Sequence, residues 1–221
     1  MHKHLTLVFA TLALSVAAFA QSDYFYQVGY AANLNIGDSE VNLSNDGFRA
    51  GFYPNTAGAG NLCINVFVFD PQEEEVACCS CLVTPNGLIS LSAKNDLISN
   101  VLTPAIPTSI VIKLTSTVPG TSTGTNYNVC NPTITETGTG GLSGDGTPYD
   151  LEAGMLAWGA TLEPAGTAGT YAPVNVPFLK GNLSPTEQAE LTQVCALVQA
   201  EGTGYGVCKS CVLGALGGNK N

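Results

Sequence analysis

Histidine is almost missing from this chain: its 221 residues include two, His2 and His4. Both lie in a stretch that the sequence marks for removal. Met1-His2-Lys3-His4 is a short basic start, Leu5 to Phe19 is apolar and uncharged, and Ala18-Phe19-Ala20 is an A-x-A site ahead of Gln21. That order predicts a secretory signal peptide, residues 1–20, cleaved after Ala20. The apolar run is about fifteen residues, short of the ~20 a spanning helix needs. No later stretch is apolar enough to span a bilayer, so no transmembrane segment is expected in the mature chain. The expected location is secreted, periplasmic or at the cell surface. Without histidine, residues 21–221 exclude a Ser-His-Asp or Cys-His relay and any histidine-liganded metal.

Positive charge is the second scarcity. Charged residues make up 11% of the chain, with 17 acidic side chains against 7 basic ones. After Ala20 the basic residues are Arg49, Lys94, Lys113, Lys180, Lys209 and Lys220. One arginine and scattered lysines do not neutralise a phosphate backbone, which excludes nucleic acid and makes an anionic membrane surface a poor partner. Aromatic platforms are few as well, with a single tryptophan, Trp158. Phosphate loops are absent: Gly138-Thr139-Gly140-Gly141 lacks the Gly-Lys-Ser/Thr ending such a loop needs.

Cysteine is what the chain has in quantity. Cys63, Cys78, Cys79, Cys81, Cys130, Cys195, Cys208 and Cys211 all follow the leader. An even count in an exported chain predicts a disulfide framework. The competing chemistry is a thiolate metal site, because zinc favours Cys-x-x-Cys pairs such as Cys208/Cys211. A redox-active pair there would want a βαβ context, and none is visible.

The patterning is mostly that of strands. Residues 24–28 are aromatic and β-branched, and 33–36 and 41–43 alternate polar and apolar. Leu62 to Phe69 alternates over its whole length, Asp70-Pro71 breaks it, and Val76 to Val83 runs back as a hairpin behind an acidic tip at 72–75. Thr84-Pro85-Asn86-Gly87 closes that strand in a turn. With Phe69 facing Glu75, Cys63 falls opposite Cys81; a two-residue shift puts it opposite Cys79. The expectation is therefore a bridge from Cys63 to Cys79 or Cys81, with Cys78 reaching elsewhere. Further strands are expected at 109–114, 155–162 and 171–178, while 88–102 is ambiguous. The Thr/Gly/Ser-rich excursion 115–148 is expected to be tethered by Cys130.

One helix stands out, Pro185 to Ala200. Ser184 is its N-cap, Pro185 sits at N1 and Glu187 at N3, a capping box. Leu191, Val194, Cys195 and Val198 are its expected apolar stripe, and Gly202 is placed to end it. A bridge from Cys195 to Cys208 or Cys211 would pin the tail to the helix. These elements predict an antiparallel β-sandwich, immunoglobulin-like or jelly-roll, over residues 21–180. Residues 181–221 add a short C-terminal helix and a disulfide-clipped Gly-rich tail.

The segments 61–70, 78–87 and 208–211, the last followed by Gly-rich residues, resemble uncharacterised secreted bacterial cysteine-rich proteins. The resemblance runs through most of the mature chain. It implies a bacterial, exported protein and transfers no functional residues.

Three kinds of chemistry remain to be placed. The acids Asp145, Asp150 and Glu152 crowd a Gly-rich loop from which calcium would take oxygen ligands; the expectation is otherwise of no cofactor. The tip acids Asp70, Glu73, Glu74 and Glu75 read as solvated turns. A carboxylate-pair glycan hydrolase needs no histidine, but nothing marks out one pair among the acids. The composition thus favours a non-enzymatic structural or binding module of the cell surface or extracellular matrix. Its expected partner is a protein or glycan, or another copy of the chain. Residues 115–148 and 70–75 would supply the contacts. The alternative is a calcium- or zinc-binding protein, or a carboxylate-dependent glycan hydrolase.

Overall fold

The computed structural model describes residues 25–51, 58, 60–121, 127–134 and 149–211. The leader expected at 1–20 lies outside them.

Two antiparallel sheets form a β-sandwich. The strands are β1 (Tyr26–Ala31), β2 (Glu40–Asn45), β3 (Leu62–Phe69), β4 (Glu75–Val83), β5 (Leu88–Ser92), β6 (Ile110–Thr117), β7 (Gly120–Thr121), β8 (Tyr127–Val129), β9 (Met155–Pro164), β10 (Tyr171–Pro177) and β11 (Leu179–Lys180). Sheet A has the order β11-β1-β6-β3-β4, sheet B the order β10-β9-β2-β5, and β7-β8 is a separate hairpin. The helix α1 (Pro185–Ala200) follows.

Alternation places the core between the sheets. Ile64, Val66 and Val68 of β3 are fully buried, as are Ile112 and Leu114 of β6, and they share one cluster with Val41, Leu43 and Leu91 of sheet B. One corner is closed by Phe178, which links β10 to β11. A Cβ on Gly29 would lie 2.6 Å from its ring, and one on Gly159 would lie 2.8 Å from the Glu40 carbonyl oxygen. The ring therefore takes space that only glycine leaves open.

The β3-β4 hairpin departs from the expected register, and the cause is one residue. Phe69 does face Glu75, but Val68 pairs with Ala77, so Val76 is an extra residue on β4. Beyond this bulge the strand is turned over. Cys63 lies opposite Leu82, and Cys78, not Cys79 or Cys81, shares its outer face. The bridges follow: Cys63–Cys130, Cys78–Cys195, Cys79–Cys208 and Cys81–Cys211. This overturns the bridge from Cys63 to Cys79 or Cys81, and also the bridge from Cys195 into the tail. The tether at Cys130 is present, to Cys63.

Other local expectations shift for identifiable reasons. Residues 33–36 form a tight turn with Asn33 at φ 55°; their alternation arises because Leu34 alone is buried there. The ambiguous 88–102 stretch is β5 followed by a helical turn, Ala93–Leu97, capped by the Ser92 hydroxyl. The long helix has the expected bounds, and the Glu187 N–H donates to Ser184 Oγ at 3.1 Å. Its buried stripe is Gln188, Leu191, Thr192, Cys195 and Val198, while Val194 is exposed. The helix lies on the outer face of sheet A, where it buries Phe67 and Cys78 with Leu191, Cys195 and Val198.

Candidate functional site

Sheet B carries an inverted strand. On β9 the small residues Ala157, Gly159 and Thr161 point inward with Met155, while Leu156, Trp158, Ala160 and Leu162 point outward. Pairing decides this, because β2 beside it buries Val41 and Leu43 and so fixes the register across the sheet. Trp158 is 40% exposed, Leu156 48% and Leu88 55%. Trp158 sits opposite Asn42 on β2 and Pro177 on β10, and Asn42 sits opposite Ser90 on β5. The Ser90 hydroxyl donates to Asn42 Oδ1 at 2.6 Å. Glu40, Ser44 and Asn175 complete the outward positions around it, and none of them is basic. The result is an exposed aromatic ring on a sheet face framed by amide, hydroxyl and carboxylate groups. In the sequence Trp158 registers as a strand residue and as a lone aromatic platform, too few for a sugar cleft. The available signal is that the bulky side of β9 outweighs its small side, which alternation alone assigns to the core.

The second concentration of chemistry is β4. Its outer-face Cys78 holds α1, and its inner-face Cys79 and Cys81 hold the tail. All three are buried, as are Cys195, Cys208 and Cys211.

A polar cluster lies under the helix. Tyr26 donates its O–H to Glu187 Oε1 at 2.7 Å, and Lys113 Nζ meets the same oxygen at 2.7 Å. Lys113 also stands 4.7 Å from the centre of the Phe69 ring, a cation–π distance. Burial acts to raise the Glu187 pKa, but the bonds from Lys113 and Tyr26 and the lysine charge together hold it below the ordinary value. Burial raises the Tyr26 hydroxyl, helped by the neighbouring carboxylate. So Glu187 does not return to the helix end as a capping box would have it; its carboxylate clamps α1 to β1 and β6. Next to this cluster Glu75, expected on a solvated tip, is buried, and neither carboxylate oxygen has a hydrogen-bond partner. Desolvation pushes it up to about 8, against the partial offset of the Lys113 charge. The tip is built instead by Asp70, whose Oδ1 accepts the N–H groups of Gln72 and Glu74, with Glu73 and Glu74 exposed.

Of the three calcium candidates, Asp145 lies outside the described residues. Glu152 is buried and forms an ion pair with Arg49 at 3.3 Å. Burial raises its pKa and the guanidinium opposes that. Asp150 lies close enough for its charge to act on Glu152, while its carbonyl accepts the Val118 N–H at 2.8 Å. Thus one of the three carboxylates has a guanidinium at its face. The contact loop expected at 115–148 is described only in part, with its later portion outside the described residues.

The concavities are modest. An open groove of about 230 Å³ is lined by Tyr30, Asp70, Pro71, Ser109 and Val111. A cavity of about 10 Å³ lies beneath α1 between Asn65, Thr115 and Gln188, the size of one water.

The whole is a disulfide-bonded β-sandwich, and among the described residues no helix is long and apolar enough to cross a membrane. No family model matches the chain, and no curated protein matches it. The crystal structure of Thermotoga maritima 1070 is similar at 10% identity over 72% of this chain and 97% of its own, with a TM-score of 0.37. That score carries no argument about function.

Proposed function

We propose that this chain is an exported, non-enzymatic binding module of a bacterial cell surface or extracellular matrix, and that sheet B presents a glycan-binding face centred on Trp158. The carrying observation is strand β9, which turns Leu156 and Trp158 outward while the small residues Ala157 and Gly159 face the core beside Met155. An exposed ring beside polar neighbours suits a ligand with alternating C–H faces and hydroxyls. The lack of basic residues on that face favours a neutral glycan over an anionic one.

Export is supported by the leader pattern at 1–20 and by the four bridges, which persist in oxidising surroundings. The resemblance to secreted bacterial cysteine-rich proteins agrees with this reading. Bridges and sheet hydrogen bonds would keep the face presented where no chaperone renews it.

Trp158 is the single tryptophan, so emission excited at the red edge, where tyrosine does not absorb, reports on this face alone. Titration with soluble neutral polysaccharides should shift its emission. Retention on the insoluble forms should fall at least tenfold in Trp158→Ala. Unchanged emission across a broad glycan panel would count against the reading. So would retention that survives the substitution.

A further inference from the structure

Four sulfurs meet between β4 and the tail, and bridges are one of two chemistries that arrangement supports. Cys79 and Cys81 are two residues apart on a strand, so they stand side by side on the inner face. The tail brings Cys208 and Cys211 to them. The Sγ atoms of Cys79, Cys81 and Cys211 all lie within 4.8 Å of one another, and Cys208 is bonded to Cys79. All four are buried among Val76, Ala77 and Val101 in the main core cluster. A Cys-x-Cys pair facing a Cys-x-x-Cys pair is the donor set of a structural zinc site with four thiolate ligands. Zn–S distances of about 2.3 Å put tetrahedral sulfurs about 3.8 Å apart. Cys79, Cys81 and Cys211 therefore need shift by only about an ångström, while Cys208, bonded to Cys79 but outside that group of three, has to swing further to close the tetrahedron.

Hydrogen bonds hold the tail alongside the bridges. Cys78 N–H donates to the Gly206 carbonyl at 2.8 Å, Gly206 N–H to the Asn100 carbonyl, and Lys209 N–H to the Asp96 carbonyl. The Ser210 hydroxyl also bonds the Asp96 carboxylate. A metal site on the reduced chain requires these bonds to keep the four thiols together once the bridges are opened.

We infer that the reduced chain binds one zinc ion on Cys79, Cys81, Cys208 and Cys211, and that oxidation of these thiolates to the two bridges releases it. Binding takes four thiols to four thiolates on Zn²⁺ with loss of four protons. In release, two molecules of a small disulfide accept the four electrons. They take up four protons and leave as four thiols, while two protein S–S bonds form and Zn²⁺ departs. The other sulfurs are not part of this site. Cys78 and Cys195 lie on the opposite face of sheet A, where Glu75 is the remaining donor, and Cys63 pairs with Cys130. The ion would hold half of the eight cysteines out of the 105 pairings open to them until the correct two bridges close.

The test uses residues 21–221, fully reduced without oxygen by a phosphine and supplied with zinc or cobalt(II). After desalting, one metal per chain should remain. Cobalt should show the intense visible bands of a tetrahedral site and thiolate-to-metal charge transfer. Cys63→Ser with Cys130→Ser should leave both unchanged, whereas Cys79→Ser or Cys211→Ser should weaken retention at least tenfold. Adding a small disulfide should release the metal in step with the Cys79–Cys208 and Cys81–Cys211 bonds. No retained metal overturns the inference, whether the reduced chain keeps its β circular dichroism or loses it without recovery on adding zinc. Retention in the Cys79 and Cys211 variants equal to that of the parent overturns it as well. None of these readouts involves Trp158, so the glycan reading stands or falls separately.

Discussion

Lys113 on β6 and Glu187 on α1 meet at 2.7 Å, across the junction of sheet and helix. The pair is about a quarter exposed on each side, so its direct contribution is small, about 1 kcal/mol or less. Glu187 also accepts from Tyr26. Glu187→Ala should therefore cost about 1–2 kcal/mol in urea unfolding. Because the folded carboxyl titrates below its ordinary value of 4.5, its stabilisation is present above that pH. It fades as pH falls through the folded value. The mutant's acid unfolding curve should accordingly approach the parent's at the low end.

Glu75 has the opposite sign. Its folded pKa is raised from 4.5 to about 8. Its contribution is complete below 4.5 and declines as pH rises to about 8. Glu75→Gln should flatten that decline and make the chain more stable than the parent at about pH 9, by an amount on the order of a few kcal/mol. Urea midpoints on either side of the folded pKa, in mild acid and in mild alkali, decide it. A mutant that loses ground equally at both would refute the assignment of Glu75 as buried and without a hydrogen-bond partner.

Arg49 and Glu152 form the buried ion pair. Arg49→Leu leaves a carboxylate under the fold with its guanidinium gone, which costs about 3–5 kcal/mol. Replacing both by apolar residues of similar size should recover much of that loss. A thermal melt of the single and double mutants provides the check.

Trp158→Ala should behave differently from a core truncation. Trp158 lies on an open face, and its loss should change stability by about 1 kcal/mol or less. Leu43→Ala, at a fully buried site on the neighbouring strand, should cost about 2–5 kcal/mol. A large loss for Trp158→Ala would mean that the ring is structural.

What the sequence makes legible is what depends on short-range pattern. The alternation of Leu62–Phe69 and the Ser184-Pro185-Thr186-Glu187 start of α1 yield the observed bounds. A two-sheet sandwich follows from strands of this length and spacing. The bridges do not follow, because Val76 adds a residue to β4 and reverses which cysteines face the core. A bulge of that kind has no local signature in Glu75-Val76-Ala77. Glu75 is equally opaque. It looks like the last acid of a solvated tip, but the strand begins with it and the fold covers it. The Trp158 face is hidden for a related reason: in β9 the neighbouring strand, not the hydrophobic pattern, decides which side is inside.

Strand β4 is bonded to three points downstream of Pro185: Cys195, Cys208 and Cys211. A protease that cuts once anywhere between Val83 and Pro185 therefore produces two pieces that cannot separate. The nicked molecule should run as a single species without reductant and as two with it. A chain wired this way stays one covalent molecule after a single cut in that span.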